Sequence, residues 1–300
     1  MKPLVSVVTP TYNRAATIAR AVDSVLAQDF TDFEYVIVDD GSTDATLDVL
    51  KTYQDARIRV ISQPNVGEAA ARNTGILASC GEFIAFLDSD DEWLPQKLTR
   101  QMDMLARVDC AIKACCCDYF ETFPDRTERV TCIPQSEDWY RRLLMGSNIG
   151  PGTNLVVSRA AYDQVGYYDL TLLRHTDWDW LLRFTRSQYP LMVVNEPLSR
   201  VNRDYKSVAR IQEQSARLLI RKHHDHALQY GRAFRARALT RIWLNIARKY
   251  AAEGNAARAA FILLRTIARH PLRVSRDHAF ILKQIILALL PKTEDQSTLP

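Results

Sequence analysis

Phe83-Ile84-Ala85-Phe86-Leu87 is followed at once by Asp88-Ser89-Asp90-Asp91. Five apolar residues in a row are typical of a buried strand in a parallel sheet, which is apolar on both faces. The acidic residues would then lie at the carboxyl end of that strand, where open α/β sheets bind their ligands. Two carboxylates two positions apart offer hard oxygen ligands that suit Mg²⁺ or Mn²⁺. We therefore expect an α/β fold with a functional site beside this strand.

Strand-like and helix-like segments alternate through the first 120 residues. Predicted strands cover residues 4–9, 33–38, 58–61 and 83–87, and predicted helices cover 15–28, 43–53 and 68–79. Repeated β-α-β units of this size predict a mostly parallel sheet with helices on both faces. Beyond them the pattern is less regular. It predicts strands over 111–120, 154–157 and 191–194, and helices over 137–144 and 177–188.

The last third of the chain has a different character. Predicted helices cover residues 207–230, 233–252, 256–270 and 276–290. Residues 1–199 hold 19 Lys and Arg against 28 Asp and Glu, a net charge of −9, whereas residues 200–300 hold 20 against 7, a net charge of +13. We predict an α/β domain over residues 1–205 and a basic helical region over residues 206–300. The basic region indicates either solvated helix faces or contact with an anionic surface such as lipid headgroups.

Composition places the chain among globular proteins and indicates a compartment. The 300 residues are 47% hydrophobic and 25% charged, which argues against disorder. None of the six cysteines forms a CxxC pair, and Cys115-Cys116-Cys117 alternate between the faces of a predicted strand, so we interpret them as core residues in a reducing setting. Met1-Lys2-Pro3 leads directly into the first strand, which predicts no signal peptide. We expect a cytoplasmic protein, with peripheral attachment at the cytoplasmic face of the membrane as a further hypothesis.

Several other classes of protein fit the sequence poorly. Neither GxGxxG after the first strand nor GxxxxGK[ST] occurs, which argues against a dehydrogenase or a P-loop enzyme. Metal-dependent phosphatases of the haloacid dehalogenase type also carry D-x-D after an apolar strand, but Asp91 and Glu92 follow here where that class has Thr or Val. The run from His223 to His226 lacks carboxylate or Cys partners at metal-site spacing, and we interpret it as a solvated helix face. We find no nucleic-acid-binding module and expect no nucleic-acid partner.

Four motifs that occur in order narrow the interpretation. They are the segments 5–14 (VSVVTPTYNR), 36–44 (VIVDDGSTD), 65–75 with its ARNTG, and 86–91 (FLDSDD). Together they closely resemble the family 2 glycosyltransferases, whose catalytic domain has the GT-A fold, over about residues 3–205. The resemblance implies an inverting transfer of a sugar from a nucleotide-diphosphate sugar to a hydroxyl of a glycan or lipid-linked acceptor. UDP is the favoured nucleotide and dTDP the second choice. A divalent cation, Mn²⁺ or Mg²⁺, and a role in cell-surface polysaccharide biosynthesis are also implied.

The resemblance assigns roles on the nucleotide side. Pro10, Thr11 and Tyr12 would line the nucleobase pocket, with the Tyr12 ring stacked on the base. Asp39 or Asp40 would accept a hydrogen bond from the imide N–H of the base, and the sequence leaves open which one does so.

The resemblance also assigns the charged residues around the diphosphate. Arg72 would lie by the base or the phosphates, where a guanidinium fork suits oxyanions. Asp88 would contact the ribose or the sugar, and Asp90 would bind the metal. Arg200 resembles part of a segment that closes over the diphosphate, although Asn202 replaces the His of that segment.

The resemblance places the general base at the start of a later helix. Asp177 aligns with the Asp of a Glu-Asp pair, while Thr176 replaces the Glu, and Asp179 is the alternate base. A helix cap is the structural alternative for Asp177. Gly152 would belong to the acceptor pocket, and Trp178 and Trp180 would stack on sugar or pack in the core, with at least one of them in the core. The departures at Thr176 and Asn202 keep a second function open, a non-catalytic sugar-nucleotide-binding protein with the same fold.

Overall fold

A computed structural model describes residues 2–131, 138–146, 152–202 and 208–269. These residues form two compact units. The first holds residues 2–131, 138–143 and 152–202, and the second holds residues 144–146 and 208–269. The division of the chain into domains at residue 205 stays a prediction, because compactness alone does not test whether either part folds by itself.

The first unit contains nine strands. They are β1 (Val5–Thr11), β2 (Phe33–Asp39), β3 (Ile58–Ser62), β4 (Phe83–Phe86), β5 (Glu92–Trp93), β6 (Ala114–Thr122), β7 (Thr127–Val130), β8 (Val156–Ser158) and β9 (Leu191–Asn202). One sheet runs β3-β2-β1-β4-β8-β6-β9-β5, and β7 pairs with β6. The strands from β3 to β4 are mutually parallel, as are β6 and β9. The α/β fold is confirmed, but β8, β5 and β7 pair antiparallel, so the sheet is mixed.

Seven helices accompany this sheet. They are α1 (Ile18–Leu26), α2 (Thr46–Lys51), α3 (Glu68–Ala78), α4 (Lys97–Ala106), α5 (Trp139–Leu144), α6 (Arg159–Val165) and α7 (Thr176–Arg186). A 3₁₀ helix, Gly152–Asn154, precedes β8. Gly75 lets α3 approach β1 closely, because an added Cβ would lie 2.2 Å from Val8 Cγ1. This close packing holds α3 against the middle of β1 and so fixes Arg72, which lies about one turn before Gly75.

The core confirms most of the predicted strands and the interpretation of the cysteines. Every residue of β1 is buried, and so are Cys115, Cys116 and Cys117. The prediction for β9 was too short, since this strand runs to Asn202. Its pairing with β6 shifts register around Pro197, where a proline and two exposed polar residues interrupt the apolar pattern.

The second unit is helical. It consists of α8 (Ala209–His223), α9 (Arg232–Ala252), α10 (Ala256–Arg269) and a 3₁₀ segment, His226–Tyr230. The single predicted helix over 207–230 was therefore wrong, since α8 ends at His223 and Gly231, with φ +89°, ends the 3₁₀ segment. The prediction of a solvated face for His223 and His224 was also wrong, because both are buried. The predicted helix over 276–290 lies outside the described residues. Within the described ranges, no helix combines the length and apolarity needed to span a bilayer.

Candidate active site

Hydrogen bonds connect the loop after β1 to the loop after β2. Asp40 N donates to the Thr11 carbonyl oxygen at 2.8 Å. Asn13, in the left-handed region at φ +53°, donates from its N to Ser42 Oγ at 2.9 Å and accepts from Thr43 N at 2.8 Å. The predicted nucleobase residues are thus held beside the end of β2.

The three predicted pocket residues at the end of β1 and just beyond it differ in exposure. Pro10 and Thr11 are buried, whereas Tyr12 is 45% exposed, so its ring does not belong to the core. Thr11 Oγ1 is buried and has no hydrogen-bond partner among the described residues. An exposed ring beside an unsatisfied hydroxyl can stack on a planar ligand and hydrogen-bond to it.

Asp39 and Asp40 are both buried but differ in how their carboxylates are used. Asp40 accepts from Gln63 Nε2 at 2.7 Å, Val66 N at 3.1 Å and Gly67 N at 2.8 Å. The Asp39 carboxylate accepts only from Ser42 N among the described residues, at 3.2 and 3.3 Å. Asp40 therefore holds the loop that leads into α3, while Asp39 keeps lone pairs for a ligand.

A buried ion pair joins α3 to the acidic turn after β4. Arg72 is 2% exposed, and its Nη2 lies 2.6 Å from Asp88 Oδ1 and 2.8 Å from Glu68 Oε1. The guanidinium carbon stands 5.5 Å from the centroid of the Tyr168 ring. A Cβ on Gly152 would lie 3.3 Å from Arg72 Nη2, so the glycine makes room for this guanidinium. The structure thus brings Arg72, Asp88 and Gly152 together.

Asp90 faces two arginines, Arg14 in the segment before α1 and Arg20 within α1. Its Oδ2 lies 3.1 Å from Arg14 Nη2, and its carbonyl oxygen accepts from Arg20 Nη2 at 2.8 Å. Burial and the charge of Asp88 raise the pKa of Asp90, against the opposing effect of Arg14. A nearby cation stabilises the charged form of two neighbouring carboxylates that are partly removed from water.

Asp91 belongs to the site as a structural residue, which the sequence did not reveal. Its Oδ2 accepts from Thr153 Oγ1 at 2.6 Å and its Oδ1 accepts from Asn202 N at 2.9 Å. Thr153 Oγ1 also accepts from Asp88 N at 3.1 Å, and Asn202 Nδ2 donates to the Asp90 carbonyl oxygen at 2.7 Å. Burial, with the charges of Asp88 and Asp90, raises the pKa of Asp91 well above its usual range. Asn202 therefore fixes the backbone of the acidic turn.

Asp177 lies in the first turn of α7 and is half-buried. The N–H of Trp178 donates to its Oδ1 at 2.9 Å. Burial raises the pKa of Tyr168 to about 12, and the charges of Asp177 and Asp88 add to the increase while Arg72 opposes it. Arg174, three residues before Asp177, lies 3.8 Å from Glu68 Oε2, so the segment that leads into α7 contacts the helix that carries Arg72.

The alternate base and the tryptophans have structural partners. Asp179 is fully buried and pairs with Arg183 Nε at 3.0 Å. Trp180 is fully buried and stacks on Phe184, which confirms that one tryptophan is in the core. Trp178 donates from Nε1 to the Leu143 carbonyl oxygen at 2.9 Å.

Arg200 has no side-chain contact with the other predicted site residues among the described hydrogen bonds and ion pairs. It is exposed on β9, opposite Glu92 in the strand register, and its side chain makes no hydrogen bond or ion pair within the described ranges. Its predicted position over the diphosphate stays a prediction.

The carboxylates of the site cannot complete a metal's coordination by themselves. No group of three His, Cys, Asp or Glu side chains suited to an ion occurs in the part of the chain that the structure describes. Asp88 and Asp90 nevertheless supply the hard oxygen ligands that Mg²⁺ or Mn²⁺ prefers, and such ions commonly complete their shell with substrate phosphates and water. The residues present therefore fit a cation that binds together with a diphosphate.

This arrangement defines a class of protein, an α/β fold with buried and charged side chains gathered where β1, β2 and β4 end. The pattern of glycosyl transferase family 2 matches residues 6–166, more than half of the chain. The chain belongs to glycosyl transferase family 2.

Curated relatives match over about a third of the chain. A putative teichuronic acid biosynthesis glycosyltransferase, TuaG of Bacillus subtilis, is 46% identical over 113 residues, which are 37% of this chain and 45% of TuaG. The UDP-Glc:alpha-D-GlcNAc-diphosphoundecaprenol beta-1,3-glucosyltransferase WfgD of Escherichia coli is 40% identical over 105 residues, 35% of this chain and 42% of WfgD. The chain thus spans less than half the length of either relative.

Solved structures match over nearly the whole chain. S. aureus TarS 1–349 in complex with UDP-GlcNAc has a TM-score of 0.60 at 20% identity, covering 97% of this chain and 82% of that one. The mannosyltransferase PcManGT from Pyrobaculum calidifontis, in complex with GDP-Man and Mn²⁺, gives the same TM-score, identity and coverage. At this identity the likeness shows the fold alone, and it confirms the predicted GT-A-like architecture.

Proposed function

We propose that the protein is a glycosyltransferase that takes a sugar from a nucleotide-diphosphate donor, UDP-sugar by preference, and transfers it to a hydroxyl of a glycan or lipid-linked acceptor. The observation that carries the proposal is the ion pair of the buried Arg72 with Asp88, 2.6 Å long, directly after the parallel strand β4, with the Arg72 guanidinium 5.5 Å from the Tyr168 ring. The same chemistry is named for WfgD, which uses a UDP-sugar and a diphosphoundecaprenol acceptor, and TuaG is named for teichuronic acid biosynthesis. We infer a role in polysaccharide biosynthesis on the cytoplasmic side of the membrane.

The donor's base would lie between Tyr12 and Asp39. The exposed Tyr12 ring can stack on a pyrimidine, and the buried Thr11 hydroxyl can satisfy a polar atom of the base. The free lone pairs of Asp39 favour this residue over Asp40 as the acceptor of the imide N–H. Pro10 restricts the backbone at the strand end and so preserves the shape of the pocket.

The diphosphate and the sugar would lie near Arg72, Asp88 and Asp90. Arg72 is desolvated and held by two carboxylates, so it can present a fixed positive charge to a phosphate oxygen. Asp88 would accept a hydrogen bond from the ribose or the sugar. When bound by Asp90, Mn²⁺ or Mg²⁺ would neutralise negative charge on the nucleoside diphosphate as it leaves.

Asp177 would act as the general base. Its carboxylate would take the proton of the acceptor hydroxyl while that oxygen attacks the anomeric carbon from the face opposite the leaving group. A single displacement of this kind inverts the anomeric configuration, and positioned general bases contribute about 10²–10⁴-fold in rate. Asp179 does not suit this role, because its carboxylate is buried and is already paired with Arg183. Gly152 and Trp178 would border the acceptor, and Arg200 the diphosphate.

A panel of nucleotide sugars tests the proposal. The wild-type protein is incubated with each donor in Mn²⁺, Mg²⁺ or EDTA, and release of nucleoside diphosphate and donor affinity are measured. We expect slow metal-dependent hydrolysis of one donor, its loss in Asp90→Ala, and its loss in Asp177→Asn with donor affinity retained. The matched control is Asp163→Asn, which changes an exposed carboxylate on α6 and should leave hydrolysis unchanged.

The same panel separates the second candidate function. Thr176, in place of an acidic residue, favours a protein that binds the sugar nucleotide without transferring it. Donor binding without turnover, both alone and with lipid-diphosphate sugar acceptors, would support that candidate. A chain that neither binds nor hydrolyses any donor would contradict the assignment of the site.

A further inference from the structure

The helical unit carries an open groove between α8, α9 and α10. The groove has a volume of about 460 Å³, its mouth included. Trp243 and Ile262 form an apolar floor, and Phe261 stands at its edge. Phe261 is 51% exposed, and Leu264, one turn further along α10, is 66% exposed. Large apolar side chains that are exposed side by side indicate a surface that contacts another molecule.

Arginines surround this apolar floor. Arg217 lies 5.1 Å above the Trp243 ring and pairs with Glu213 at 2.7 Å. Arg265 and Arg269 are exposed, lie one helical turn apart, and make no ion pair within the described ranges. Residues four apart share a helix face, so two uncompensated positive charges meet at the mouth of the groove.

The charge of the whole unit has the same sign. Residues 208–269 contain 13 Lys and Arg but only 3 Asp and Glu. The ligand of the groove must therefore combine an anionic group with an apolar part. A soluble anion would make no apolar contact with Trp243 and Phe261, and an uncharged lipid would not pair with the charges of Arg265 and Arg269.

We propose that this groove binds an anionic phospholipid at a bilayer surface. The phosphate is held by Arg265 and Arg269, and the start of an acyl chain lies against Trp243, Phe261 and Ile262. Leu264 enters the interface beside the lipid. An exposed apolar stripe flanked by arginines is the pattern of helices that lie in a membrane interface. The groove shares no residue with the proposed donor site, so its test is independent of the proposed enzymatic function.

Vesicle binding by the full chain tests the proposal. The protein is co-sedimented with vesicles of phosphatidylcholine alone and of phosphatidylcholine with phosphatidylglycerol. We expect binding to the mixed vesicles and about 30-fold weaker partitioning for Arg265→Gln with Arg269→Gln, because each basic residue near an anionic surface contributes about 1 kcal/mol. The matched control, Arg232→Gln with Arg237→Gln, removes the same charge from exposed positions of α9 and should cost at most about 3-fold. Thermal unfolding verifies that all variants are folded.

Fluorescence locates the lipid. Phospholipids brominated in the acyl chain should quench tryptophan emission in the wild type, and the quenched component should be lost in Trp243→Phe. Equal losses of binding in the two arginine pairs, or quenching that survives Trp243→Phe, would overturn the groove as the site. Two further results would also overturn the membrane proposal. One is binding of short-chain phosphatidylglycerol below its micellar concentration without vesicle binding, and the other is binding of a single-stranded oligonucleotide in place of vesicles.

Discussion

Neighbouring aspartates have different roles at the proposed donor site. Asp39 and Asp40 cannot be distinguished by their sequence, yet Asp40 accepts three hydrogen bonds from the loop at residues 63–67, and Asp39 accepts from Ser42 alone among the described residues. The same division occurs in the acidic turn, where Asp91 is used by Thr153 and Asn202 while Asp88 and Asp90 face the site. In both places one aspartate, Asp40 or Asp91, accepts several hydrogen bonds from the fold. The aspartate directly before it, Asp39 or Asp90, faces the site.

This division predicts opposite effects for two conservative substitutions. Asp39→Asn should weaken UDP binding by about 10- to 100-fold, because a hydrogen bond to a charged group contributes about 1.5–3 kcal/mol. Its unfolding temperature should change little, since an amide oxygen can still accept from Ser42 N. Calorimetric titration with UDP and thermal unfolding measure the two effects.

Asp40→Asn is the matched comparison. The amide brings a donor to a place where three N–H groups already point, so we expect about 1–3 kcal/mol lower stability. UDP affinity, measured at a temperature where the variant is folded, should stay within a few-fold of the wild type. If Asp40→Asn reduced UDP affinity more than Asp39→Asn did, the assignment of the base contact would be reversed.

One carboxylate connects the helices of the second unit. Glu213 of α8 accepts from Arg258 Nη2 of α10 at 2.6 Å, from Tyr250 of α9 at 2.8 Å and from Arg217 at 2.7 Å. Against the effect of burial, these hydrogen bonds lower the pKa of Glu213 to about 2. An unfolded chain returns this group to about 4.3. The unfolded state therefore binds more protons between pH 4.3 and pH 2, and the contribution of Glu213 to stability is lost as the pH falls through that window.

The prediction at this scale concerns Glu213→Gln. It should lower the free energy of unfolding of the helical unit by about 2 kcal/mol at pH 7, with the difference from the wild type vanishing near pH 2. Hydrogen exchange of α8 amides as a function of pH measures it. Asp225→Asn, at a carboxylate that is 82% exposed, is the control and should have little effect. A pH-independent difference would mean that the charge of Glu213 contributes nothing.

The elements differ in how well the sequence predicts them. β1, β2 and β4 are short segments dominated by apolar and β-branched residues, with Pro10 or acidic residues at or just after their ends, so the local pattern places them. β5 has two residues and β9 continues past Asn195, Glu196 and Pro197, so neither has the length or periodicity that a local pattern detects. α8 ends at His223 because the chain turns there to bury His223 and His224, which is a tertiary effect.

The site as a whole could be predicted only where its residues belong to motifs. Asp88, Asp90, Arg72 and Asp39 lie in short segments with a recognisable order. The contacts of Asn202 and Thr153 with Asp91 are missing from that prediction because they join residues that are 111 and 62 positions apart. No local spacing encodes such a contact, and only the closure of β9 against the acidic turn creates it.

The acidic part of the chain and the basic part coincide with its two structural units, and the last prediction concerns this division. Every residue assigned to the donor site lies between Pro10 and Asn202, within the acidic first unit, whereas the groove lies within residues 208–269. We expect residues 1–205, expressed alone, to bind UDP within about 3-fold of the full chain and to lose binding to phosphatidylglycerol vesicles. Calorimetric titration and co-sedimentation measure these two properties. A shortened chain that is folded yet fails to bind UDP would contradict the domain division at residue 205. A shortened chain that still binds vesicles would instead contradict the lipid groove, because the arginines and aromatic side chains of α9 and α10 would then be dispensable.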